Sequence, residues 1–364
     1  MDMNWQYAWS QPKVTGELKS NPQDFYVEEV LGFEPDGQGE HLFVLIEKVA
    51  INTDYLAQRL AHHANIDVSK VTYSGVKDRH ACTRQWFCLH VLNASVTLDG
   101  LVDEFVAPEK IQILRLERHS KKLKVGTHKA NKFVIRLRNI TGDLSELMHR
   151  LELIKMAGVP NYYGPQRFGI GGNNLHNGEQ WLARGRQSRK KLTKTESFWL
   201  SAIRSWCFNQ ALSDQVAVGA WATFFIGDIA QENTSVAQFR VKQLDATLFL
   251  RQLTMQIHPV MPLISKGWQD GTSALRAQHM LNSLVDHREL VDNLLKLDLA
   301  RDSRTTRLLP QDMLWELLDK DTPETQLLLQ FSLPKGSFAT SVLRELIDIT
   351  DRSTERHNEN TNSQ

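Results

Sequence analysis

Lys132-Phe-Val-Ile-Arg-Leu-Arg-Asn-Ile140, then Asp143-Leu-Ser-Glu-Leu-Met-His-Arg-Leu-Glu-Leu-Ile-Lys-Met-Ala157, then Gly158-Val-Pro160: this passage decides the fold class. In the first piece Phe133, Ile135 and Leu137 alternate with mostly charged neighbours, the period of a half-buried strand. In the second, Leu144, Leu147, Met148, Leu151 and Ile154 make one apolar stripe at helical spacing, and Gly158 and Pro160 end it. The change of period marks a boundary, with strand texture before it and helical texture after it.

Working upstream, Asp24–Leu31 and His41–Val49 are rich in Phe, Tyr, Val, Leu and Ile, and Pro35-Asp-Gly-Gln-Gly39 between them is turn chemistry, which predicts a hairpin. Thr53-Asp54 starts a helix whose Leu56, Leu60, Ala61 and Ala64 share a face that would cover a sheet. Gln85–Leu92 and Ile111–Glu117 are further strand candidates. Downstream to about Arg304, helical segments such as Ser197–Leu212 and Ala274–Leu297 dominate, with short strand-like stretches such as Thr247–Gln252. Strand texture returns at Thr325–Leu333, followed by a helix at Ser341–Ile349. The expectation is an α+β protein whose mixed or antiparallel sheet domain, 1–156 and 305–350, is interrupted by an inserted, mainly helical α+β domain at 157–304. Residues 351–364 read as a polar, disordered tail.

The 364 residues with 41% hydrophobic content suffice for a core in each of two domains. Apolar runs such as Leu327–Leu329 fall far short of the roughly 20 residues that cross a bilayer, and the start lacks a basic-then-apolar leader, so a cytoplasmic protein is expected. Cys82, Cys88 and Cys207 cannot all pair and form no C-x-x-C, so they read as reduced. His62 and His63 are adjacent rather than spaced along a helix face, and there is no H-E-x-x-H, so no metal is expected. The net charge of +1 hides two basic blocks. From Arg115 to Arg138 nine Lys/Arg stand against Glu117 alone, and from Arg184 to Lys194 there are six with no acid. Such blocks suit phosphate, although a solvated face has the same composition.

Three segments carry candidate chemistry. Ser74-Gly-Val-Lys-Asp-Arg-His80 sets Asp78 between the cations Lys77 and Arg79, which favours its ionised form and suits a nucleophile or base. A surface turn of this composition needs no chemistry to explain it. Lys121-Lys-Leu-Lys-Val-Gly-Thr-His-Lys-Ala-Asn-Lys-Phe133 joins cations to Asn131, able to bond a uracil edge, and Phe133, able to stack on a base. Asn161–Asn174 is a Gly-rich aromatic loop carrying Arg167; its spacing matches neither G-x-G-x-x-G nor a P-loop, and no G-x-S-x-G elbow occurs.

Together these segments resemble the TruD family of tRNA pseudouridine synthases, over most of the chain. The resemblance runs through Leu18-Lys-Ser-Asn-Pro-Gln-Asp-Phe25, Gly32-Phe-Glu-Pro-Asp-Gly-Gln-Gly-Glu-His41, Gly75-Val-Lys-Asp-Arg-His-Ala81, the elements between Lys121 and Phe133, Asn161–Asn174, and Phe331–Leu346. It implies a pseudouridine-synthase catalytic domain interrupted by a TRUD domain, isomerisation of uridine 13 in the D-arm of tRNA, no cofactor and no obligate protein partner. It implies that Asp78 is the catalytic carboxylate and that Lys19, Lys77, Asn131 and Phe133 line the uridine pocket. RNA contacts are expected at Arg79, Lys121, Lys122, Lys124, Arg167, Arg189, Lys190 and Lys191, gripping tRNA from both domains. The chain departs from the family where Ala130 replaces a usual Gly and His128 a usually apolar residue. A positive φ at 130 would strain Ala by about 1 kcal/mol. The alternatives are a tRNA-binding protein without turnover, which would not need Asp78, and another RNA enzyme such as a methyltransferase or metal-dependent nuclease.

Overall fold

The structure, a computed structural model, describes residues 1–92, 96–185, 192–233, 235–320 and 322–353. In chain order the first part runs β1 (Thr15–Leu18), β2 (Phe25–Val30), β3 (His41–Val49), α1 (Thr53–His63), β4 (Val71–Tyr73), β5 (Cys82–His90), β6 (Lys110–His119) and β7 (Ala130–Thr141). The middle runs α2 (Leu144–Ala157), β8 (Val159–Pro160), α3 (Asn173–Ala183), α4 (Lys194–Ala217), β9 (Ile229–Glu232), β10 (Gln238–Arg240), α5 (Ala246–Leu253), β11 (Ile257–Pro262), α6 (Ala274–Ser283) and α7 (Arg288–Leu295). It closes with β12 (Ser303–Thr305), β13 (Arg307–Leu308), β14 (Gln311–Leu318), β15 (Gln326–Pro334), α8 (Ala339–Leu346) and β16 (Asp348–Asp351).

These elements fall into two compact units. The sheet unit holds Lys13–Leu144, Pro310–Gly336 and 347–353; the helical unit holds Met1–Pro12, Ser145–Leu309 and Ser337–Leu346. The mixed sheet, interrupted in sequence by a mainly helical segment, is the α+β architecture expected. The units do not divide at 156 and 304. Residues 1–12, nearly all of α2 and α8 belong to the helical unit, because their side chains anchor there: Arg150 bonds the Ser10 carbonyl at 3.2 Å and the Glu345 carbonyl at 3.0 Å.

In the sheet unit the strand order is β14-β15-β7-β2-β5-β3-β6, with β1 paired to β7 and β16, and β4 to β5. The β2–β5 and β1–β16 pairings are parallel. Alternation along β3 sends Leu42, Val44 and Ile46 into one core with Leu56, Leu60 and Ala61 of α1, while Phe43 faces the other way onto Trp86 and Leu123. The hairpin expected between β2 and β3 does not form. β5 lies between them, and the Pro35–Gly39 loop is tied instead to the end of β6, where the Gly37 amide donates to the Arg118 carbonyl at 2.9 Å.

The helical unit contains the sheet β10-β9-β11-β12, the pair β13-β8, and a core built on α3, α4, α6 and α7. The strand-like Thr247–Gln252 is helical within α5, because Asp245 caps the Leu248 amide at 2.8 Å and nucleates the turn. Ala274–Leu297 is two helices, α6 and α7, broken by a 3-10 turn at Val285–His287. At the C-terminus, the helix expected to reach Ile349 ends at Leu346, and Asp348–Asp351 is strand β16, paired to β1 from Thr15↔Asp348 to Leu18↔Asp351, so Asp351 is strand rather than tail. Among the described residues no helix is long and apolar enough to cross a membrane.

Candidate active site

Asp78 sits in the loop between β4 and β5, and two layers of contacts fix that loop. The Lys77 amide donates to Thr53 Oγ1 at 3.1 Å, Gln85 Nε2 donates to the Gly75 carbonyl, and the Gly126 amide donates to the Ser74 carbonyl at 2.6 Å. Asp78 Oδ1 accepts the His80 amide at 2.9 Å, an Asx turn that aims the carboxylate. Its other oxygen meets the Lys19 ammonium. About a third of the carboxylate side chain, 36%, stays accessible to a ligand.

Lys19 follows β1 with φ of 56°, a left-handed conformation that a lysine adopts only under constraint. Its side chain is buried, lies 4.8 Å from the centroid of Phe25, and has Asp351 Oδ2 at 3.8 Å. Desolvation pushes the Asp78 carboxyl upward, but the Lys19 charge and hydrogen bond and the His80 amide outweigh it, so its pKa falls below the ordinary aspartate value. The direction is the one expected from the sequence, but the cation behind it is Lys19 rather than Lys77 or Arg79. Lys77 turns away to Asn131 Oδ1 at 2.7 Å and Glu29 Oε2 at 3.0 Å. Arg79 donates to the Ala50 carbonyl at 3.3 Å and lies 3.8 Å from Glu109. Covalent neighbours along a turn point outward in different directions, whereas Lys19 arrives from another strand.

Asn131 and Glu29 face each other across the β2–β7 register, which is why one Lys77 ammonium reaches both. Burial pushes the Glu29 carboxyl up and the Lys77 charge pulls it back. Phe133 is buried, ring-stacked on Phe331 at 5.4 Å and edge-on to Phe25 at 6.1 Å. Lys19, Lys77, Asp78, Asn131 and Phe133 therefore all lie in the sheet unit, on or beside β1, β2, β7 and the β4–β5 loop. Ala130 has no positive φ. It opens β7 as extended backbone between Val30 and Pro334, so the strain conceivable for Ala there is absent.

Lys121, Lys122 and Lys124 are exposed on the same unit. Arg167 is in the helical unit, its Nη1 donating to Ser201 Oγ at 2.9 Å and its guanidinium 5.3 Å from the Tyr163 ring. Arg304, not singled out from the sequence, lies 4.2 Å from the same ring. Arg189, Lys190 and Lys191 lie outside the described residues. Sequence reasoning also missed Glu29, Asp351 and the partners of His128. The first could have been suspected as an acid alternating among the apolar positions of a strand; the other two have no local signature.

A family model described as tRNA pseudouridine synthase D (TruD) matches residues 2–189 and 186–346. A protein of Pseudoalteromonas atlantica named tRNA pseudouridine synthase D is 34% identical over 95% of this chain and 96% of its own length. One of the same name from Methylococcus capsulatus is 39% identical over 92% and 91%, and one from Pseudomonas putida 36% identical over 94% of each. A crystal structure from Methanosarcina mazei, described by the same family name, superposes with a TM-score of 0.65 at 18% identity over 94% of this chain and 95% of its own, a likeness of fold.

Proposed function

The chain belongs to the tRNA pseudouridine synthase D family, and from that membership we propose that it isomerises a uridine of tRNA, uridine 13 in the D-arm, to pseudouridine with Asp78 as the catalytic carboxylate. The observation that carries this reading is the accessible Asp78 carboxylate, kept ionised by buried Lys19 in the same unit as the Lys77–Asn131 pair.

Uridine and pseudouridine are isomers, so the reaction balances without a redox partner or group donor. The N1–C1′ bond breaks, the uracil turns, C5 bonds to C1′, and the C5 proton is lost while N1 gains one. A target inside a helix must first be flipped out of its stack. Ionised Asp78 starts the reaction by adding to the ring or sugar, or by taking the 2′ proton so that a glycal forms; both need an unprotonated carboxylate. Asn131 holds the detached base by its edge. Phe133 stacks on its face, held in place by the rings of Phe25 and Phe331. Lys121, Lys122, Lys124, Arg79 and Arg167, together with Arg189, Lys190 and Lys191, would bind tRNA phosphates.

Unmodified tRNA transcript incubated with the protein, then treated with carbodiimide and read by primer extension, tests this. A single new stop at uridine 13 with wild type, absent with Asp78→Ala, is expected. A stop elsewhere would replace the assigned uridine, and an unchanged stop with Asp78→Ala would remove Asp78 from the chemistry.

A further inference from the structure

His128 stands where its ring joins the Asp78 loop to Asn131. It is buried, at 7% exposure, with Nδ1 at 2.6 Å from Ser74 Oγ and its own amide donating to the same oxygen at 2.8 Å. Its Nε2 lies 3.4 Å from Asn131 Nδ2. A Cβ added to Gly75 would come within 3.6 Å of the ring, so the imidazole packs directly on the loop that carries Asp78.

The hydrogen-bond chemistry of this row has one consistent solution. Lys77 has only donors, so the Asn131 atom at 2.7 Å from it must be the amide oxygen. The amide nitrogen then faces His128, and because that nitrogen only donates, Nε2 must be bare. The remaining ring proton sits on Nδ1 and donates to Ser74 Oγ. Burial first, then the Lys77 and Lys335 charges, push the imidazole pKa down to about 4, so the ring is neutral at physiological pH, as the row requires.

We propose that His128 is a positioning residue: held by Ser74 on one side, it accepts from Asn131 Nδ2 on the other and, together with Lys77 on Oδ1, keeps the Asn131 carboxamide from turning. The amide keeps one free lone pair on Oδ1 and one free N–H on Nδ2. In that order they complement the N3–H and carbonyl of uracil and oppose the bare N3 and amino group of cytosine. A carboxamide free to flip would fit either base. This deepens the functional reading above and rests on it for the identity of the base.

The test separates position from packing. Gln at 128 can place an acceptor where Nε2 lies, Asn can reproduce only the Nδ1 position, and Leu offers neither. With tRNA, His128→Leu and His128→Asn are expected to lower kcat about fivefold, the worth of one neutral hydrogen bond, with KM unchanged, while His128→Gln stays within about twofold of wild type. Equal activity in all four proteins, or equal losses in all three variants, overturns the proposal. The tautomer is read independently of turnover, by nitrogen-15 chemical shifts of histidine-labelled protein with His128→Gln used for assignment. A protonated Nδ1 and bare Nε2 at neutral pH are expected; the opposite tautomer or a charged ring overturns the proposal even in an active enzyme. Absence of pseudouridine from the wild-type reaction, with the expected tautomer present, instead removes the functional reading.

Discussion

At the scale of the residue, the site depends on which cation reaches Asp78. Its folded-state pKa lies below the ordinary aspartate value, so ionisation favours the folded protein above that value and the contribution is lost as pH falls through the folded pKa. Removing the ammonium with Lys19→Met takes away the largest group opposing desolvation and leaves the His80 amide, which raises the Asp78 pKa. The acid limb of kcat/KM is then expected to move to higher pH, and the acid-side loss of melting temperature to begin at higher pH. Coincident acid limbs for Lys19→Met and wild type would mean that Lys19 does not set the charge of Asp78. The sequence shows Asp78 among cations, but not which cation pairs with it. Lys77 and Arg79 adjoin Asp78 along the chain, yet the ion pair is made by a residue 59 positions away, placed there by a left-handed backbone at the end of β1.

At the scale of the element, long periodic segments were legible and short paired ones were not. β3, β7 and α2 appear where alternation and helical stripes placed them. The four residues of β16 have no apolar pattern to read; they are strand only because β1 lies alongside. α5 read as a strand because its run of Leu and Phe has no clear period, while the Asp245 cap that decides it lies one residue outside. β16 also has a predicted role. It flanks β1, which Lys19 follows; its last residue, Asp351, lies near Lys19, and the next residue, Arg352, pairs with Glu17. Deleting residues 348–364 should lower kcat about tenfold or more by loosening Lys19, with circular dichroism unchanged in shape. Full activity in the truncated protein would show that β16 does not support the site.

At the scale of the whole molecule, a net charge of +1 gives no hint of a polyanionic partner, because the 42 acids offset 43 Lys and Arg. What matters is the local grouping, in which Lys121, Lys122 and Lys124 are all exposed on the unit that holds Asp78. Replacing the three with Ala should weaken tRNA binding and flatten its dependence on log salt concentration by about one to three in slope, whatever the base at the target position. An unaltered slope would mean that they touch no phosphate. The change of texture at 157 does not mark the edges of the compact units, because residues 1–12 and 337–346 join the helical unit through contacts far apart in the chain. Whether this protein makes one pseudouridine with Asp78 is decided by tRNA from cells lacking the protein, mapped for pseudouridine after restoring either wild type or Asp78→Ala at equal abundance. Loss of the modification at uridine 13, regained with wild type and not with Asp78→Ala, is the predicted result; an intact uridine 13 modification in the deleted cells, or its return with Asp78→Ala, would contradict it.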